Sequence, residues 1–120
     1  MTDDVTSLSL PNRVVLLGLA SLETDATTPA HAPAVRRACR DRADELADTV
    51  VGTLDEATVA RSLNELEAAG HADRVDDGEP SAVGKGRPAF ALAAPTDEVL
   101  NALEADDAVA DAAAVVRGED

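Results

Sequence analysis

The apolar positions of this 120-residue chain change period along its length, and each change marks an element. "LPNRVVLLGLASLE" is apolar at positions 14–17, 19, 20 and 22, most of a helix circumference, which predicts a central and largely buried helix. Pro11 falls in its first turn, where a missing N–H costs nothing. "TDATTPAHAP" then breaks the pattern with two prolines and several threonines. In "PAVRRACRDRADELAD", Val35, Ala38, Cys39, Ala43 and Leu46 recur at helical spacing, with Arg36, Arg37, Arg40 and Arg42 on the rest of the surface. A third helix is predicted in "TVVGTLDEATVARSLNELEAAG", where Val59, Leu63 and Leu66 make the buried stripe. Thr53 with Glu56 has the spacing of a capping box, with Asp55 as a rival cap, and Gly70 stands where a left-handed residue stops a helix.

Beyond Gly70 the period shortens. "HADRV" and "RPAFALA" read as two short strands, the second with Phe90 and Leu92 facing inward. Between them "DDGEPSAVGKG" holds three glycines and a proline, which suits an extended hairpin loop. "PTDEVLNALEADDAVADAAAVVRGED" returns to helix, with Thr96 as N-cap, one helix to about Glu104 and a weaker one from about Ala108. The order is helix, helix, helix, strand, basic loop, strand, helix. That is a mainly α fold with a small β-hairpin (α+β), laid out as a winged helix-turn-helix: a three-helix core, a two-stranded wing and a C-terminal helix. The expected organisation is a loose N-terminus over residues 1–9, a winged-helix domain over 10–104 and an acidic helical tail over 105–120.

Composition changes the picture in two ways. The apolar residues are small: 25 alanines, 13 leucines and 13 valines stand beside a single Phe90 and no isoleucine, tryptophan or tyrosine. Each buries little area, so the core is modest in strength. The charge is −14, with 24 acids against ten basic residues, of which Lys85 is the only lysine. This balance points to a salt-rich cytoplasm, where carboxylates hold water and their repulsion is screened within about 3 Å at about 1 M salt. Cys39 is the only cysteine, which excludes an intramolecular disulfide and suits a reducing cytosol. No apolar run approaches membrane-spanning length and no cationic leader opens the chain, so a soluble protein without membrane attachment is expected.

The stretches "NRVVLLGLASLE", "VRRACRD", "TVARSLNELEAAG", "GKGRPAFAL" and "DEVLNALEADD" together resemble the C-terminal winged-helix domain of archaeal replication initiators of the origin-recognition type. They also resemble stand-alone winged-helix proteins of salt-loving archaea. The similarity spans roughly residues 11–108 and is most specific in "LNELEAAG" and in the wing "GKGRP". It implies a double-stranded DNA binder that lays its third helix in the major groove with the wing beside it. The sequence departs from those initiators in two respects. It contains no phosphate-binding G-x-x-x-x-G-K-[ST] loop, and the start of its third helix, "DEATVARS", is less basic.

Charge placement agrees with that reading. Residues 36–87 hold eight of the ten basic residues and twelve of the 24 acids, whereas residues 88–120 hold one arginine and eight acids. On the third helix, Thr58, Arg61, Ser62 and Glu65 are read as lying opposite the apolar stripe; arginine can fork onto guanine, and serine and threonine can reach bases or phosphates. An Arg61–Glu65 pair at i, i+4 is the competing account. Arg36 and Arg40 share a face of the second helix and could clamp phosphates, or pair with Asp41, Asp44 and Glu45 instead. In the wing, Gly84 and Gly86 allow close backbone approach to a phosphate while Lys85 and Arg87 supply charge; a hairpin tip with glycines for turn geometry alone is the alternative.

The DNA-binding set is therefore Arg36, Arg40, Thr58, Arg61, Ser62, Lys85, Gly86 and Arg87. His31 and His71 are read as surface or strand-end residues, Cys39 as core, and no metal, cofactor or catalytic constellation is expected. Val99, Leu100 and Leu103, then Val109, Val115 and Val116, give apolar residues on helical segments after the wing; either residues 96–104 pack back on the first helix or the C-terminal helix forms a homodimer. The expected function is DNA binding by a transcriptional regulator. A winged helix that docks on proteins, or a replication-associated origin-binding module, is the alternative.

Overall fold

In the computed structural model, which describes residues 8–26, 28–41, 55–75, 89–105 and 109–118, the first helix begins where Ser9 caps it. The Ser9 hydroxyl accepts the Asn12 N–H at 3.4 Å and Pro11 sits in the first turn. This helix, α1 (Leu10–Thr24), is buried continuously from Val14 to Ser21, as the circumferential apolar pattern requires. The second, α2 (Ala32–Asp41), lies against it and buries Val35, Ala38 and Cys39. Ala43 and Leu46, assigned to the same face, and Arg42 lie outside the described residues.

The two helices approach closely at Gly18. A Cβ there would sit 2.7 Å from Cys39 Sγ and 3.2 Å from the Val35 carbonyl oxygen, so only glycine fits without displacement. Cys39 Sγ donates to the Val14 carbonyl oxygen at 3.5 Å. Burial pushes the Cys39 thiol up to about 12, consistent with a core residue.

The third helix, α3 (Glu56–Ala68), is defined tightly at both ends. Asp55 is its N-cap, accepting the Thr58 N–H at 2.8 Å, so the rival to the Thr53 box holds the position; Thr53 itself is outside the described residues. At the other end Gly70 takes φ 89°, its N–H reaches the Glu67 carbonyl at 3.1 Å, and the His71 N–H reaches Leu66 at 2.9 Å. That is a Schellman stop, as the glycine predicted.

Two strands follow, β1 (Ala72–Val75) and β2 (Ala89–Leu92), paired antiparallel with Ala72 opposite Leu92 and Val75 opposite Ala89. Ala30, between α1 and α2, adds a third segment: its N–H and carbonyl exchange bonds of 2.9 and 2.8 Å with Phe90, making β2 central. Glu23, near the end of α1, accepts the Leu92 N–H at 3.1 Å and ties the sheet to the core. Phe90 is buried and Leu92 half-buried.

Helices α4 (Thr96–Glu104) and α5 (Ala110–Gly118) complete the described fold. Thr96 is not the N-cap. Pro95 occupies that position with no side-chain bond, and its carbonyl accepts from Glu98 and Val99, while Asp97 and Glu98 favour the positive helix end. Val99, Leu100 and Leu103 of α4, with Val109 and then Ala112, Ala113 and Val116 of α5, are buried in the same core as α1. Val115 is exposed. The helices, hairpin and Ala30 bridge form a winged helix with a C-terminal helical pair folded onto α1.

Candidate nucleic-acid interface

Helix α3 has one buried side and one open side. Val59, Ser62, Leu63 and Leu66 are buried, at the i, i+3, i+4, i+7 positions that share a face. Ser62 is only 4% exposed, which corrects its assignment to the outer face: three residues after Val59, it belongs to the inward stripe. At about 100° per residue, the positions most nearly opposite that stripe are 57, 61, 64 and 68. They hold Ala57, Arg61, Asn64 and Ala68, and all four are exposed. Thr58 lies on the flank and is half-buried.

Glu65 occupies the same flank as Thr58, and its Oε1 accepts from Asn12 Nδ2 of α1 at 2.9 Å. The bond joins a buried polar residue of the central helix to α3 and fixes the rotation of α3 about its axis. It gives Glu65 a partner on another helix, where the i, i+4 pattern offered only Arg61. The Asn64 side chain has no hydrogen-bond partner among the described residues, and its amide carries one acceptor oxygen and two donor protons. Asn64 carries neither a charge nor a hydroxyl, so residue type alone does not single it out. Helical phase alone places it beside Arg61 on the outer face.

Around the head of α3 the charges are mixed. Arg36, Arg37 and Arg40 of α2 line a shallow polar recess with Pro33, Asp41 and Glu56. Arg37 and Arg40 are exposed and Arg36 half-buried. The Thr58 backbone and hydroxyl, with smaller help from Arg36 and Arg61, hold the Asp55 carboxyl below the ordinary carboxylate range. Arg36, Arg40 and Arg61 thus reach the same end of the helix-turn-helix as two acids, Asp55 and Glu56. Asp44 and Glu45, the other proposed arginine partners, are outside the described residues, as are Gly84, Lys85, Gly86 and Arg87.

A second, more apolar cleft runs between the start of α2, α3 and β2, lined by His31, Pro33, Ala60, Asn64 and Phe90 among others. His31 is half-buried there, whereas His71 is buried at the head of β1, with its Nε2 unpartnered among the described residues. No group of three or more His, Cys, Asp or Glu among the described residues could hold a metal ion. No described helix is long and apolar enough to cross a membrane.

No protein-family model matches the chain, and no curated protein matches it. Among solved structures it is similar to the Aeropyrum pernix Orc1 protein in complex with DNA, with a TM-score of 0.69 and 25% sequence identity. The match covers 90% of this chain and 27% of the Orc1 chain, so the likeness is to about a quarter of that protein.

Proposed function

We propose that this chain binds double-stranded DNA by seating the outer face of α3 in the major groove, as a transcriptional regulator in a high-salt cytoplasm. The observation that carries the reading is the contrast across α3. Its inner stripe, Asp55 cap, Schellman stop and Asn12–Glu65 bond fix the helix in place. The face turned away from the core is left to Ala57, Arg61, Asn64 and Ala68. Likeness to part of a protein solved in complex with DNA supports the same use. In this reading Arg36 and Arg40 contact phosphates beside α3, Thr58 sits at the groove edge, and Lys85, Gly86 and Arg87 grip the backbone from the wing.

The likeness to Orc1 is equally compatible with a replication-associated role, which genomic mapping of bound sites separates from transcription. The acids Asp55 and Glu56 at the head of α3 favour a different reading, a winged helix that docks on a protein. For the homodimer expectation, Ala112, Ala113 and Val116 of α5 are buried in the chain's own core while Ala114 and Val115 are exposed, so a dimer through this helix would rest on those two residues.

The test is duplex binding in molar potassium salt by the wild type and by Lys85→Ala/Arg87→Ala. The reading expects binding that the double variant weakens at least tenfold. Absence of binding at every salt concentration, or unchanged affinity in the variant, contradicts it. Reduced counterion release at high salt weakens phosphate contacts generally, so base contacts and shape fit should carry more of the affinity.

A further inference from the structure

We infer that Arg61 and Asn64 are a paired base-reading unit that selects duplexes carrying a guanine and an adenine on adjacent or next-adjacent base pairs. The inference rests on the DNA-binding reading and extends it from fold-level contact to the sequence the protein prefers.

The argument starts from what the outer face of α3 presents. Of the four positions most nearly opposite the buried stripe, two are alanines, and the other two are arginine and asparagine. Arg and Asn are side chains that can make paired hydrogen bonds to a single purine edge. The arginine fork matches guanine O6 and N7, and the asparagine amide matches adenine N7 and N6. Asn64 brings both an acceptor and donors with no partner among the described residues, and Arg61 is exposed beside it.

Spacing supports a joint role. Three residues of helix advance about 4.5 Å along the axis, against about 3.4 Å between successive base pairs. Two side chains so placed are spaced to reach neighbouring or next-neighbouring pairs. Ala57 and Ala68, at the two ends of the face, project no further than Cβ, so nothing there holds the helix away from the groove floor. An alanine methyl can also rest against a thymine methyl.

The flanks of α3 strengthen the assignment. Glu56, Glu65 and Glu67 are exposed around the same helix and disfavour phosphates. With sequence-independent attraction reduced along α3, discrimination must come from the base edges. Glu65 is further restrained by its bond to Asn12 at 2.9 Å, so it orients the helix while Arg61 and Asn64 read.

The experiment is binding-site selection from a random-core duplex pool in molar potassium chloride, using the full chain as wild type, Arg61→Ala and Asn64→Ala. Affinities are then measured on the enriched duplex and on versions with one base pair exchanged. The expected result is enrichment of a guanine and an adenine within two base pairs. Arg61→Ala should lose preference at the guanine alone and Asn64→Ala at the adenine alone, each with about 5- to 150-fold weaker binding to the enriched duplex. If duplex binding persists but both variants select the wild-type sequence, the pairing is wrong and the DNA-binding reading stands. If the wild type binds no duplex at any salt concentration, the DNA-binding reading fails and the pairing with it. Both residues are exposed, and matching circular dichroism and unfolding curves establish that a loss is one of recognition.

Discussion

Helices α1 and α3 are of similar length, fifteen and thirteen residues, and the chain uses them in opposite ways. Along α1, every residue from Val14 to Ser21 is buried, and neighbours surround it: α2, α3, β2, α4 and α5 all pack on it. Along α3, burial is confined to one stripe and an entire face is open. The difference shows where function can reside in a small protein with a modest core. A helix covered on all sides has no surface to offer a partner; it sets the position of the others. A helix fastened on one side presents the other at a fixed angle. Asn12 and Glu65 join the two directly.

The comparison can be broken from its buried side first. Leu63 is fully buried on the inner stripe of α3, and Leu63→Ala should cost about 2–5 kcal/mol of unfolding free energy, read by chemical denaturation in molar potassium chloride. A cost below about 0.5 kcal/mol, the size of a surface change, would mean that the stripe does not hold α3.

Next comes the α1–α2 seam. Gly18→Ala places a Cβ 2.7 Å from Cys39 Sγ, and the overpacking should cost about 1–3 kcal/mol. Alanine's better helix propensity, worth about 1 kcal/mol, offsets part of that. Adding Cys39→Ala removes the sulfur and should recover stability, so a double-mutant cycle gives a favourable coupling between the two changes. Additive losses would place the contact elsewhere.

A smaller effect is expected at the exposed cap. The Asp55 carboxyl titrates below its ordinary range, so its contribution is present above the unfolded-state value and lost as pH falls through the folded one. Asp55→Ala should lower the unfolding temperature at neutral pH and reduce the acid sensitivity of stability. Asp55→Asn, which can still accept the Thr58 N–H, should lower it less.

Much of this molecule is legible in its amino-acid pattern because helical period and stop signals are local. The apolar circumference of α1, the positive-φ Gly70 and the break between α4 and α5 all appear where sequence periodicity put them. The misses share a cause. Ser62 is polar, yet its phase on the helix outweighs its type, and a small hydroxyl is readily accommodated in a buried stripe. Ala30 carries no strand signal of its own; its pairing with Phe90 exists only once α1 and the hairpin have come together. Asn12 reads as an ordinary first-turn residue until Glu65, 53 positions later, supplies its partner. At Thr96 a hydroxyl suggested a cap, but the helix begins there and the backbone of Pro95 holds the position. For the candidate interface, residue type found Arg61 and overlooked Asn64, which counting turns from Val59 identifies.

The outer face of α3 offers the most direct measurement. Arg61→Ala/Asn64→Ala should change unfolding free energy by no more than about 0.5 kcal/mol per site, since both residues are exposed. The enriched duplex titrated by fluorescence anisotropy in molar potassium chloride should bind the wild type, and the double variant at least about 25-fold more weakly. Equal binding by the two proteins, or binding by neither at any salt concentration, would contradict the claim that the open face of α3 is where this protein meets DNA.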